Sequence, residues 1–519
     1  MSHSSKPSLK KEIFLCLLSV ILLVLSFPNY NLWILAWLGF VPLFFALKGK
    51  SQGKAFLLSY ITGVIFWVGT IYWLIHVTLP GLILLVLYLA LYFGIFGLFF
   101  SICPLSSVLC PLTVASIWVL LEYIRSYLFT GFPWALLGYS QYLNLAVIQI
   151  ADITGVWGVS FLVMLINVAI WRFFSGFRVP LACARGRQGS GFRERFFYLL
   201  PSLVLLLCVL IYGFYKMNLY AVPCTLSPIK ISVIQGNISQ ELKWDPAARQ
   251  MIMDKYLDLS RQAVKDKPNL IIWPEAAIPV VLEDEPRYYE EVANLAREIR
   301  RPLLMGAVRF QDGLYYNTAI LISEQGKLLN RYSKLHLVPF GEYIPLRKLF
   351  PFLETVVPIG DFTAGKEYTV FNLFTLHSPL STKFSVLICF EDLFPELSRN
   401  FVKRGAEFLV NITNDAWFGK TSSPYQHLSA SVFRAVENRR SLVRAANTGV
   451  SGFIAPSGRI LSLVQDRQGK TIFVAGYQTS SLDIPKGNLT FYDRFAGAFI
   501  FGCVFIILYV IITLPLKKR

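Results

Sequence analysis

Three residues stand where their types and spacing could do covalent chemistry. The stretch "VLICFED" puts Cys389 at the end of an apolar run and follows it with Glu391 and Asp392. "IIWPEAAIP" puts Glu275 just after Trp273-Pro274, where proline interrupts ladder pairing. "RYSKLHLVPFGEYIP" presents Lys334, with Glu342 in the following turn. Glu275 and Lys334 are 59 residues apart, and Lys334 and Cys389 are 55 apart, so only the fold could bring them together. Taken singly, each has an ordinary explanation: a solvated carboxylate, a surface lysine, an inert thiol in an apolar strand. Together they are a thiol, a carboxylate and an ammonium, groups that could serve covalent catalysis if the fold joined them.

That chemistry sets a requirement on the site. A free cysteine has a pKa near 8.5 and a glutamate near 4.3, so unassisted proton transfer between them costs roughly 6 kcal/mol. Desolvation of the carboxylate and an ammonium beside the sulfur are the two ways to close the gap. The same ammonium can stabilise a tetrahedral oxyanion, with the backbone N–H of Phe390 as a second donor. This scheme requires no metal, and the sequence shows no HxxxH or CxxC cluster.

The elements around these residues alternate between short β-branched runs and helical patterns. Strands are expected at 230–238, 269–277, 302–308, 315–323, 384–390, 407–413, 441–447 and 451–456. Several are hydrophobic almost throughout, as strands covered on both faces are. Asp245-Pro246 reads as an N-cap and first helical residue, with Ile252, Tyr256, Leu259 and Ala263 marking one face. Further helices are expected over 287–300 and after Pro424. The pattern is an α/β layered domain.

This domain is embedded in a much greasier chain. Of 519 residues 55% are hydrophobic, and the mean hydropathy is +0.53. The apolar runs lie in residues 1–216 and in the tail from about 496 to 516. Eight stretches approach the length of a bilayer span, near 12–28, 32–47, 55–76, 81–101, 109–129, 155–172, 197–215 and 495–515. Lys10 and Lys11 precede the first, as in a secretory leader, but no small-residue cleavage site follows. The expected organisation is a membrane domain of seven helices over 1–216, a catalytic domain over 217–492, and a last helix with a short basic tail over 493–519.

Charge gives the orientation. The net charge is +18, yet residues 217–492 carry 31 basic and 26 acidic residues, a net +5. Eighteen Lys and Arg lie outside that domain. With eight alternating helices from a cytoplasmic N-terminus, 15 of them fall on the cytoplasmic side and only Arg125, Lys216 and Arg494 do not. The soluble domain is therefore expected to be extracytoplasmic. Topology accounts for the positive charge without nucleic acid as a partner. Of eight cysteines, only Cys224 and Cys389 lie within 217–492, too few for a disulfide framework.

The WPE glutamate, the lysine ahead of "HLVPFGEYIP" and the cysteine followed at two by glutamate resemble the carbon–nitrogen hydrolase (nitrilase) superfamily. "NITNDAWFG" and "RAANTGVSGFIAPSGRI" fit the same pattern. With helices on both sides, essentially the whole chain resembles the apolipoprotein N-acyltransferases. The resemblance implies a polytopic helical bundle carrying an extracytoplasmic αββα sandwich in the inner membrane, on its periplasmic side, working as a monomer. It implies transfer of an acyl chain from a membrane phospholipid onto the α-amino group of a diacylglyceryl-modified apolipoprotein cysteine, with no cofactor. Carried over by motif, Glu275 is the general base, Lys334 the oxyanion partner and Cys389 the nucleophile. Trp244, Glu342, Glu391 and Trp417 match supporting positions. Phe390 departs from the pattern, since tyrosine is common there.

A thioester has to outlast water, which argues for a greasy approach. The apolar stretch 348–362 is expected to be a lid, and Glu122, Arg125 and Asp152 are expected to meet a lipid head group. Two rivals remain at this stage. A membrane-bound amidase or nitrilase keeps all three residues, but needs only one helix as a tether. A transporter or receptor usually places ionisable groups at mid-membrane, and here the helices are nearly bare.

Overall fold

The computed structural model describes residues 9–103, 109–175, 191–220, 228–344, 362–375, 378–484 and 487–513. The chain forms two compact units, residues 1–218 with 494–519, and residues 219–493.

Among the described residues of the first unit, five helices are long and apolar enough to cross a membrane: Gln52–His76, Leu79–Ile102, Cys110–Thr130, Val156–Ser175 and Leu199–Leu219. Three other expected spans fall short. The run near 32–47 is broken into a 3-10 turn at Trp33–Trp37 and a helix at Val41–Leu47. Among the described residues, the final apolar helix covers Ala498–Thr513. Leu9–Ser26 is helical but opens with Lys10, Lys11 and Glu12, and Glu12 is buried in ion pairs with Lys50 (2.5 Å) and Lys54 (2.7 Å).

Helices Gln52–Ile71 and Leu79–Ile102 approach closely because glycines face the contact. A Cβ on Gly97 would sit 2.1 Å from Ser59 Oγ and 2.6 Å from the Ala55 carbonyl oxygen. Small residues are what let apolar helices pack without a hydrophobic driving force between them. Beside them, Phe40, Phe93, Phe96 and Trp118 form an aromatic cluster, with Phe40 and Phe93 stacked and the other ring pairs edge-to-face.

After the helix Cys110–Tyr127 the chain runs through short turns that must satisfy their own backbone groups within an apolar unit. Glu122 and Arg125 do this. Arg125 Nη1 donates to the carbonyls of Phe132 (2.6 Å) and Trp134 (2.9 Å), and Glu122 Oε1 accepts from Leu137 N–H (2.7 Å). Asp152 accepts from Tyr212 Oη at 2.8 Å and pairs with Lys216 at 3.3 Å. Each of these three charged residues thus has a partner within its own unit.

The second unit holds two six-stranded sheets. The strands are β1 (Ile229–Gln235), β2 (Leu270–Ile272), β3 (Leu303–Gln311), β4 (Leu314–Ile322), β5 (Leu328–Ser333), β6 (Phe371–Thr375), β7 (Ser378–Ile388), β8 (Phe408–Thr413), β9 (Ser441–Ala446), β10 (Gly452–Ile454), β11 (Ile460–Leu463) and β12 (Gly476–Leu482). One sheet runs β12-β1-β2-β3-β4-β5 and the other β11-β10-β9-β8-β7-β6. Each has a parallel centre, β1-β2-β3 and β7-β8-β9, flanked by antiparallel strands. The sheets meet through β1 with β9 and β4 with β7. Helices Arg249–Ala263, Pro286–Ile299, Pro395–Lys403 and Ser423–Asn438 complete the layers.

Local chemistry explains these elements. Asp245 caps the turn before the first helix, accepting from Ala247 N–H at 2.9 Å, with Pro246 in the first helical position. Helix Pro286–Ile299 buries Tyr288, Val292, Leu295, Ala296 and Ile299, spaced three and four apart. The strand expected over 269–277 is shorter: β2 ends at Ile272, Trp273 N–H still donates to the Leu304 carbonyl at 2.8 Å, and Pro274 leads into a turn. Strands β5, β6, β11 and β12 were not expected; β12, "GYQTSSL", is a polar edge strand. The lid expected at 348–362 lies outside the described residues except for Phe362.

Candidate active site

Cys389 follows the last residue of β7 and has a left-handed backbone, φ +55°. A β-extended strand thus turns abruptly into the 3-10 turn Cys389–Leu393, lifting the thiol off the ladder. Such a conformation costs on the order of 1 kcal/mol or more and survives only where neighbours fix it. Two neighbours do. Glu391 reaches back to accept from Ile388 N–H (2.7 Å), and Asn411 Nδ2 of β8 donates to the Cys389 carbonyl (2.8 Å).

Glu275 sits in the turn after β2. That turn lies on Gly306 of β3: a Cβ there would come within 2.6 Å of Ala276 N, Glu275 Cα and the Pro274 carbonyl oxygen. The carboxylate is 7% exposed. Its Oε1 accepts from Asn317 Nδ2 (2.7 Å) and its Oε2 from Asn414 N–H (2.8 Å). Lys334 follows β5 and is 1% exposed, with Nζ 2.8 Å from Glu342 Oε2 and 3.9 Å from Glu275 Oε1. Glu342 also accepts from Val338 N–H (2.8 Å) and from Asn317 Nδ2 (2.9 Å).

Glu391 ties the lysine loop to the cysteine turn. Besides Ile388 it accepts from Leu335 N–H (2.7 Å), His336 N–H (3.0 Å) and Tyr332 Oη (2.8 Å). Residues adjacent to Lys334 and Cys389 are therefore bound to one buried carboxylate. Phe390 packs its ring against His336 and Phe394. Trp244 and Trp417 stand apart, 43% and 50% exposed. Their loops are joined by Asn414 Nδ2 donating to Gln240 Oε1 at 3.0 Å.

Electrostatics follow from this burial. Burial pushes the Cys389 thiol up and Glu275 adds to that, while Lys334 pulls it down; the balance leaves it well above the ordinary thiol value. Cys389 therefore rests as a neutral thiol. Burial alone would lower Lys334, but Glu342, Cys389 and Glu275 outweigh it and keep the ammonium charged. Burial raises Glu391 to about 7 against the N–H groups it accepts from.

Sequence reasoning did not single out several residues here. Asn317 is the one amide in an otherwise apolar strand, and that break in pattern was its only signal. Lys243 immediately precedes Trp244 and is 4% exposed, donating to the Glu275 carbonyl at 3.1 Å. Beneath Cys389, Asp392, Asp415, His427 and Arg444 form a buried charge cluster. Their positions are scattered over more than fifty residues, which hides them from motif reading.

A thiol at a strained strand end, a buried carboxylate and a lysine held between carboxylates, on two facing sheets, define a domain of the carbon–nitrogen hydrolase class. Residues 230–483 match the carbon-nitrogen hydrolase family, and residues 19–169 match the apolipoprotein N-acyltransferase N-terminal domain. The chain is 40% identical over 512 residues to the apolipoprotein N-acyltransferase of Geobacter metallireducens, covering 95% of this chain and 94% of that one. It is 31% identical to that of Chlorobaculum tepidum, with 87% and 88% covered, and 32% identical to that of Rhizobium rhizogenes, with 87% of each. Among solved structures, an amidase from Nesterenkonia sp. aligns over 51% of this chain and 93% of its own at 22% identity, with a TM-score of 0.38. The chain belongs to the apolipoprotein N-acyltransferase family.

Proposed function

We propose that this chain moves an acyl group from a membrane phospholipid to Cys389 and then to the α-amino group of a diacylglyceryl-modified N-terminal cysteine. The observation that carries the proposal is family membership along nearly the whole chain, joined to the convergence of Glu275 and Lys334 on one buried site that acts electrostatically on Cys389.

In the first half-reaction Glu275 takes the Cys389 proton as sulfur attacks the ester carbonyl. Lys334, fixed by Glu342, faces the developing oxyanion. Collapse breaks the ester C–O bond, and Glu275 returns the proton to the leaving lysophospholipid oxygen. The products are a thioester and an alcohol. In the second half-reaction the amine attacks the thioester and the thiol is restored, giving ping-pong kinetics.

The same proposal places residues 217–492 outside the cytoplasm, on the periplasmic face of the inner membrane. The distribution of Lys and Arg supports this orientation when the eight apolar stretches of the sequence are counted as crossings. Trp244 and Trp417, on joined loops, would meet the acyl chain or glycerol of the donor.

Intact-mass measurement of the purified chain after mixing with phospholipid tests the reading. An added acyl mass, released by hydroxylamine and absent in Cys389→Ser, is expected. Glu275→Gln should stall the same step. An acyl adduct that persists in Cys389→Ala would refute the assignment.

A further inference from the structure

We propose that Lys243 is the base that removes the extra proton from the acceptor amine in the second half-reaction. This inference rests on the acyl-transfer reading above.

The two half-reactions differ in proton balance. In the first, the thiol loses one proton and the leaving oxygen gains one, so a single carboxylate carries it across. In the second, the acceptor arrives at neutral pH largely as an ammonium, since an α-amino group has a pKa near 8. Forming the amide bond removes two protons from nitrogen. One goes to sulfur as the C–S bond breaks and the thiol is restored. The other must leave the site. Glu275 holds one proton at a time, so it cannot keep the first while taking the second.

Lys243 is placed to receive it. Its Nζ is buried and donates to the backbone carbonyl of Glu275 itself. Among the described residues no carboxylate pairs with it, in contrast to Lys334, which Glu342 holds at 2.8 Å. The site therefore contains two lysines of different character. One is locked as a cation, and the other is free to change charge. The groups that act on Lys243 are Glu275, from the turn after β2, and Cys389, at the end of β7; Trp244 and Asp245 follow it on its own loop.

Burial lowers Lys243 to about 8, against the pull of Glu275 and Cys389, which raise it. That matches the acceptor amine, so proton transfer between them is close to balanced. In order, neutral Lys243 takes a proton from the ammonium and the free amine attacks the thioester carbon. Glu275 then takes the second proton from nitrogen and delivers it to the departing sulfur. Lys243 returns its proton to water.

The test uses full-length wild type, Lys243→Gln and Lys243→Arg, each loaded from phospholipid and freed of excess donor. Loss of the acyl mass is followed with a synthetic diacylglyceryl-cysteine peptide from about pH 6.5 to about pH 9.5, spanning the amine's titration. Both variants should release acyl at least about tenfold more slowly near pH 7. Both should approach the wild-type rate at the alkaline end, where the amine arrives neutral. Arginine keeps a charge and an N–H for the Glu275 carbonyl but cannot give up a proton. A wild-type rate in Lys243→Arg near pH 7, or a deficit constant across pH, would reduce Lys243 to a tether and overturn the inference. Wild type that gains no acyl mass removes the parent reading, and this one with it.

Discussion

One amide nitrogen serves two carboxylates: Asn317 Nδ2 lies 2.7 Å from Glu275 Oε1 and 2.9 Å from Glu342 Oε1. Lys334 is flanked by the same two groups. Two like charges draw together here because an amide and an ammonium both sit between them. Asn317→Ala removes the neutral half of that clamp and lets Glu275 swing away from the thiol. A misplacement of about 1 Å can cost about a hundredfold in rate. Single-turnover thioester formation should fall by about that factor, with little change in melting temperature. A rate within about twofold of wild type would mean that Asn414 alone orients the base.

Glu391 is a positioning residue with a stability cost of its own. Its carboxylate accepts from three backbone N–H groups and one phenol, spanning the turns that carry Lys334 and Cys389. Glutamine keeps one acceptor oxygen but turns an NH₂ toward buried N–H donors. Each such donor left unpaired costs about 1–3 kcal/mol. Glu391→Gln should lower the melting temperature and slow acylation, whereas Glu391→Asp should recover more of the former than the latter. Circular dichroism melts and intact mass on the same samples separate the two effects.

Trp244 and Trp417 stand outside the buried cluster, on loops joined through Asn414 and Gln240. An exposed aromatic that meets a lipid tail acts on binding, not on proton transfer. Trp417→Ala should therefore raise KM for phospholipid while leaving kcat within about threefold, because only uniform binding is lost. A fall in kcat at unchanged KM would place the ring in the chemistry.

The local motifs were legible because each needs only a few consecutive residues. A run of apolar residues ending in "CFED" marks a strand end, and β7 does stop at Ile388. Trp273-Pro274 marks another break: Trp273 N–H makes the last donation of β2 to β3, at 2.8 Å to the Leu304 carbonyl, and proline has no N–H to continue it. What the sequence hid depends on distant partners. Asn411, Arg444 and His427 act on the cysteine turn from other strands and a helix, and nothing in their own neighbourhoods shows it. Hydropathy counted 32–47 as one span because it does not register a broken backbone. The turns after Tyr127 were invisible for the same reason, although Glu122 and Arg125, which stabilise them, were noticed as charges in an apolar run. Polar β12 escaped notice because its pairing with β1, not its composition, makes it a strand.

The charge cluster under Cys389 gives the last prediction. Arg444 Nη1 donates to Asn411 Oδ1 at 2.7 Å, and Asn411 in turn holds the Cys389 carbonyl. Arg444 also pairs with Asp392 and Asp415, each at 3.2 Å, and His427 bridges the same two carboxylates. Burial works against charge on Asp415, but His427 and Arg444 together pull it down to about 2; Asp392 is lowered in the same way. A carboxylate depressed in the folded state contributes stability above its unfolded pKa, near 3.9, and loses it as pH falls through the folded value. The cluster's contribution in the wild-type domain should thus be full above about pH 4 and decline from there to about pH 2. Arg444→Met leaves two buried carboxylates with one histidine between them. Breaking such a pair costs about 3–5 kcal/mol, which for a domain of this size lowers the melting temperature by about 10 °C. Its acid transition should move up toward pH 4, and thioester formation should slow because the Cys389 carbonyl loses its anchored partner. Fluorescence melts across pH on both proteins check the first two outcomes. An unchanged acid transition would show that His427 alone keeps the pair ionised.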